Sequence, residues 1–397
     1  MSEPAKKPNQ SPESYSPKKK PEILKLAEEM QNMSIEQQQT NVTSGGEPPK
    51  TLPGVPKVYY GAFGGITPFP ICLKAVSDYL GDELDYTYAI VACGGAFRFA
   101  WDTTDWNGGN VDIAHAYSDM ATPYRLGIKA LGREFKMLWR EDNPWGVPGN
   151  ATKEDVKTFV CEQIDMGRPV ISLGPIGPAE AGILTGYRDG GDALLGWSLF
   201  QHDGTETFGE EGYFITDKYW DEGDFVAVMS LGDITGPRFD TKVILRNAIA
   251  ALEGRQDGKY AKGTAAYDAW KKALLAAEEK DFEPLPDWGQ SIAMMCQGDA
   301  TDCLIDGRKN ACKYFRALAE ANPEQPLYGE IAEQFGIIAA TIHEKVFKAL
   351  GGYERGKKQN KALMKLKTRQ KIAAYIDVMK AADEKALALM KELLVTI

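Results

Sequence analysis

A chain of 397 residues has room for two or three domains of roughly 150 residues each and can bury a core without disulfide or metal staples. Its 43% hydrophobic and 26% charged residues match soluble globular averages and exclude a wholly disordered chain. With 46 Lys and Arg against 56 Asp and Glu, the net charge of −10 disfavours nucleic acid as a global partner while leaving room for a local basic patch.

Residues 1–56 are rich in Pro, Lys, Ser, Gln and Glu, a composition that cannot bury enough surface to offset chain entropy, and they read as a mostly disordered tail. Inside it, Ile23, Leu24, Leu26, Ala27 and Met30 form a short apolar stripe between Pro21 and about Asn32 that reads as a docking helix. Met1-Ser2-Glu3-Pro4 opens no signal-type apolar stretch, and no later run approaches 18 uncharged apolar residues, so a cytoplasmic protein without a membrane span is expected.

Residues 57–238 mix helical and strand patterns. Val58-Tyr59-Tyr60 predicts a strand, and Pro70 to Leu80 predicts a helix that Gly81 ends. Further helices are predicted over Asp112 to Leu131 and from a Thr152/Asp155 capping box to about Met166. Short apolar runs at Val170–Leu173, Gly182–Tyr187, Ala193–Phe200, Gly212–Asp217 and Phe225–Leu231 then predict strands separated by turn residues. Helices followed by strands imply an α+β domain with an antiparallel sheet. Residues 239–397 predict an all-α bundle, with helices near 240–254, 264–279, 287–320, 327–350 and 358–395, the third broken at Gly298-Asp299.

Candidate chemistry is sparse. His115, His202 and His343 fall in separate elements without metal-ligand spacing, and no phosphate-binding glycine loop is present, so no metal or cofactor is expected. Asp102, Asp105, Asn107, Asn110 and Asp112 have the composition of a cation loop but lack its closing Glu. The six cysteines form no Cys-x-x-Cys pair and read as reduced thiols. Cys72 lies in the first turn of a helix opened by Pro70, where the helix dipole lowers a thiol pKa; the same position also belongs to an apolar stripe with Ala75, Val76 and Tyr79. Glu180, just before the strand at 182, is either a base with a raised pKa or a surface carboxylate.

Thr67-Pro68-Phe69-Pro70-Ile71-Cys72-Leu73, Tyr79-Leu80-Gly81, Asp85-Tyr86 and Gly94-Gly95-Ala96-Phe97-Arg98, with Gly177-Pro178-Ala179-Glu180, Thr185-Gly186-Tyr187 and Gly196-Trp197-Ser198, resemble the butirosin biosynthesis protein H N-terminal domain family over about residues 57–232. The resemblance implies a papain-like fold, similar to peptidase domains that trim bacteriocin leaders, and an acyltransferase reaction using a carrier protein. It also implies where a triad belongs: a Cys near Thr67 or Pro68, a His near Glu180 or Ala181, and an Asp or Asn near Trp197 or Ser198. The standard triad is therefore absent. Two readings follow: an acyltransferase or amidase-like enzyme with Cys72 as nucleophile, Glu180 as base and Thr67, Trp197 and Ser198 lining the cleft, or an inactive module binding a small molecule, acyl group or peptide, its helical domain contacting another protein. Separately, Arg355 to Lys371 alternates basic residues with Leu363, Met364 and Leu366, a pattern that suits membranes, acidic partners or nucleic acid, or a plain solvated helix face.

Overall fold

The computed structural model describes residues 49–107, 112–201, 206–221, 224–286 and 290–397. The docking-helix segment at 21–32 and His202 lie outside the described residues. The first element is the two-residue strand β1 (Lys50–Thr51). Val58-Tyr59-Tyr60 forms no strand: Val58 is buried, but Tyr59 and Tyr60 are 60% and 53% exposed, and the segment pairs with no other. Helix α1 (Pro68–Tyr79) begins two residues before its predicted start because Pro68 and Pro70 both fit the first turn, where a missing N–H costs no hydrogen bond. Nine of its residues are buried, so α1 is enclosed by the fold rather than laid on it.

Helix α2 (Tyr86–Ala92) follows, with the Asp85 carboxylate accepting from the Thr87 N–H. Next come strand β2 (Ala100–Asp102), helix α3 (Thr122–Lys129) and strand β3 (Arg133–Trp139). The single helix predicted over Asp112 to Leu131 is divided, because two aspartates each cap a fresh start. Asp112 accepts from the Ala114 N–H above a 3-10 turn at Ile113–Ala116, and Asp119 accepts from the Ala121 N–H ahead of α3. Helix α4 (Lys153–Asp165) carries the predicted Thr152/Asp155 capping box. Strands β4 (Val170–Leu173), β5 (Ala181–Arg188), β6 (Ala193–Ser198), β7 (Thr207–Phe208), β8 (Tyr213–Thr216) and β9 (Ala227–Ile234) complete this part.

The main sheet is antiparallel in the order β3-β9-β4-β5-β6-β8-β7, with β1 pairing the far end of β5. Side chains alternate across it with the period of two that a pleated strand imposes. Ile171, Ile183, Leu195, Trp197 and Met229 point into the large core that includes α1. Val170, Leu184, Leu194, Phe214 and Val228 point the other way, onto Val156, Phe159 and Val160 of α4. Both faces are therefore covered.

The C-terminal region is helical: α5 (Thr241–Leu252), α6 (Ala265–Ala276), α7 (Ile292–Ala321), α8 (Leu327–Thr341), α9 (Lys357–Leu363) and α10 (Leu366–Thr396). A hairpin of β10 (Arg255–Asp257) and β11 (Tyr260–Lys262) interrupts what the sequence suggests is all helix, and β11 pairs with β2. Helix α7 is not broken at Gly298. A Cβ there would meet the Arg355 side chain at 2.6 Å, so this glycine makes room for an arginine lying across an intact helix. The whole is an α+β fold with antiparallel sheets and a helical C-terminal region. Residues Pro48–Ile397 form one unit, and its main core runs from Val55 to Leu393.

Candidate functional site

The amino end of α1 is where the sequence places a candidate site, and α7 reaches it. Thr67, at the N-cap position, makes no side-chain bond to its own helix. Its Oγ1 instead donates to Asp306 Oδ2 of α7 at 2.7 Å. Tyr86 donates its hydroxyl to the same oxygen at 2.7 Å and accepts from the Thr67 N–H at 3.3 Å, while the Ile66 N–H reaches Asp306 at 3.4 Å. Arg98 donates to Thr67 Oγ1 at 3.2 Å and to the Gly95 carbonyl at 2.9 Å. A carboxylate is thus held at the positive end of α1, the electrostatically favoured position for an anion. Gly65 is required here, since a Cβ would sit 2.0 Å from the Tyr86 ring.

The two residues after Asp306 lock this arrangement. Gly307 lets α7 approach the Ala96 carbonyl, which a Cβ would meet at 2.6 Å. Arg308, wholly buried, donates to the Ala96 carbonyl at 2.6 Å and pairs with Asp383 of α10 at 2.6 Å; Tyr267 of α6 donates to that carboxylate as well. Asp306-Gly307-Arg308 therefore joins the sheet-bearing part to the helices through a side chain, a close backbone approach and an ion pair.

Cys72 lies one turn further into α1 and has no exposed surface. Burial, with the Glu180 charge second, pushes its thiol well above the usual range. The helix dipole does not activate it, because the thiol points into a core that offers the thiolate no partner. Glu180 precedes β5. Burial, then the charge of Asp112, drives its carboxyl well upward, with Arg98 partly opposing. Asp112 is pushed up to about 6 by burial, offset by the Ala114 N–H and by Arg98. Glu180, Asp112 and Arg98 are thus within electrostatic reach of one another.

Trp197 and Ser198 are separated by the sheet. Trp197 lies on the face turned to the large core, packs on Tyr213 with ring centres 4.4 Å apart, and has the Lys57 ammonium 4.6 Å from its ring centre; its Nε1 is buried without a hydrogen-bond partner among the described residues. Ser198 pairs with Gly182 on the opposite face and accepts from the Phe200 N–H at 3.1 Å, a turn-closing role. Thr67 and Cys72 thus share α1, with Glu180 in electrostatic reach of Cys72, whereas Trp197 is seen only against Tyr213 and Lys57, and Ser198 lies on the other face of the sheet. Beside Ile66, a cavity of about 810 Å3 opens between α7 and the turn after α8, lined by Ile305, His343, Phe347 and Arg355 among others. His343 stands on a π-helical turn, Ile342–Val346, an irregularity found often at functional sites.

Asp306, Tyr86 and Arg98 carry this site; the sequence marks Tyr86 and Arg98 only within the resemblance motifs, with no role, and does not mark Asp306. The available signal was Asp306 and Asn310 falling three and seven residues after Cys303, on the face of α7 that Cys296 and Cys303 mark as core. Among the described residues no group of three or more His, Cys, Asp or Glu is arranged to hold a metal ion. Among the described residues no helix is long and apolar enough to cross a membrane. The chain matches no protein-family model, and no curated protein matches it in sequence.

Proposed function

We propose that the chain is a non-catalytic binding module on a papain-like framework, taking a small ligand or peptide beside the amino end of α1. The observation that carries this reading is Asp306, whose carboxylate occupies the helix end where a papain-like enzyme needs a free nucleophile. The buried Cys72 thiol supports it as well. The acyltransferase reading draws on the electrostatic link between Cys72 and Glu180, but that link has the wrong sign: a charged Glu180 raises the thiol pKa, and a protonated one accepts no proton. A ligand suits the cavity of about 810 Å3, which falls within the range of small-molecule sites and mixes apolar Ile66, Ile305 and Phe347 with His343 and with charged groups of both signs, Lys348 and Arg355 beside Asp302 and Glu354.

The test is peptide-mapped alkylation of the folded protein alongside incubation with an activated thioester. Cys72 is expected to stay unmodified until the protein unfolds, and no acyl adduct is expected. A stable adduct on Cys72 in the folded protein would overturn the proposal in favour of acyl transfer.

A further inference from the structure

The basic segment of the C-terminal region is sorted by the fold. Between Lys345 and Lys371 the chain holds eight lysines and two arginines against only Glu354, in a protein of net charge −10. Both arginines are engaged by partners within the chain, Arg355 at the surface and Arg369 in the interior. Arg355 bridges Asp299 and Asp302 on α7 at 2.6 and 2.5 Å. Arg369 is buried and donates to the carbonyls of Leu363, Met364 and Ala277, closing the end of α9.

The lysines are left outside. Lys357, Lys358 and Lys361 are exposed on one face of α9, whose Gln359, Asn360 and Leu363 are buried. Lys365, Lys367 and Lys371 continue the exposed face into α10 while Arg369, Ile372 and Ala373 turn inward. Among the described residues none of these lysine side chains forms an ion pair or donates a hydrogen bond. Two large apolar side chains stand out among them, Tyr353 at 72% and Leu366 at 50% exposure.

We infer that this face docks on an anionic lipid bilayer. The sorting favours that occupant over a nucleic acid. Arginine is the residue whose planar fork matches a phosphate bidentately, and both arginines are already engaged, Arg355 by two carboxylates and Arg369 by three backbone carbonyls. Lysines remain as hydrated point charges, which add diffuse attraction to a surface of many anionic headgroups. Tyr353 and Leu366 supply apolar groups that enter the interface between headgroups and acyl chains, as amphipathic surface segments do. The segment does not span the membrane; it rests on it, and net repulsion from the acidic remainder of the protein orients the lysine face toward the lipid.

The test is sedimentation of the full chain with phosphatidylcholine vesicles, with and without phosphatidylserine, at low and high salt, beside a duplex DNA of arbitrary sequence. Binding is expected only with phosphatidylserine and should weaken as salt rises. Replacing Lys361, Lys365 and Lys367 by Gln should lower vesicle affinity by about 100-fold, taking each surface lysine at roughly fivefold. Tyr353→Ser with Leu366→Ser should weaken vesicle binding severalfold and leave DNA binding unchanged. All five side chains are exposed, so an unaltered melting temperature checks that the variants fold. Binding that ignores phosphatidylserine, or DNA binding tighter than vesicle binding with the serine variant unaffected on vesicles, would overturn the inference.

Discussion

The Asp306 carboxylate can be tested by truncation, and the structure fixes the size of the effect. In Asp306→Ala the Thr67 and Tyr86 hydroxyls each lose a 2.7 Å hydrogen bond to a carboxylate. Bonds to a charged group contribute about 1.5–3 kcal/mol each, and Thr67 and Tyr86 are buried. Thr67 keeps Arg98 as a partner, but the Tyr86 O–H is left with none that the structure provides. The expected loss is about 3–5 kcal/mol, read in urea as a lowered midpoint at unchanged slope. Asp306→Asn keeps one carbonyl acceptor and should lose about half as much. A cycle with Tyr86→Phe should return a coupling of about 1–2 kcal/mol between the two side chains. If Asp306→Ala stayed within about 1 kcal/mol of the parent, or coupling to Tyr86 were absent, the carboxylate would not be what holds this junction together.

Three further measurements address the rest of the fold. Asp383→Asn should cost about 3–5 kcal/mol by equilibrium unfolding, because the wholly buried Arg308 would keep its charge without a counter-ion. Gly307→Ala should destabilise by about 1–3 kcal/mol, its new methyl group colliding with the Ala96 carbonyl, whereas Gly329→Ala in α8, with open space around it, should stabilise by up to about 1 kcal/mol. The pH dependence has opposed parts, the raised carboxyls Asp112 and Glu180 on one side and the lowered His115 on the other. Asp112, raised from 3.8 to about 6, contributes stability that is complete below pH 3.8 and lost as pH rises through 6. His115, lowered from 6.5 to about 4 by burial and then by Lys262, contributes stability complete above pH 6.5 and lost as pH falls through 4. Asp112→Asn, which retains a capping oxygen, should therefore remove part of the fall in stability with rising pH, the part due to the raised Glu180 carboxyl remaining; a profile identical to the parent's would refute the assignment.

Much of the architecture was legible because it rests on local chemistry. The Thr152/Asp155 capping box and the β-branched runs at Val170 and Ile183 announce their elements, and alternation along each strand assigns its faces. Legibility failed where tertiary contacts decide. Arg133–Trp139 shows burial on scattered positions and pairs only at a sheet edge, so its pattern is weak. Tyr86–Ala92 is two turns long, too short for a helical period to declare itself, and depends on the Asp85 cap. Gly298 reads locally as a break, yet the space it leaves is filled by Arg355, 57 positions later in the chain.

The same division explains the site. A thiol near a helix start suggests activation when only its own helix is considered, since the dipole acts within one turn. Whether that thiol meets water depends on the sheet and helices that close around α1, and those leave Cys72 with no exposed surface. Asp306 raises the opposite problem. Within α7 it is one acidic residue among several, and its meaning comes from Gly307 and Arg308. The glycine admits the Ala96 backbone and the arginine anchors to Asp383, and together they fix the helix at the height that puts Asp306 on Thr67. The occupied helix end is thus a consequence of how α7 is docked. Loosening that docking at Gly307 should weaken the Asp306–Tyr86 coupling without any change to either residue, which a cycle repeated in Gly307→Ala would detect.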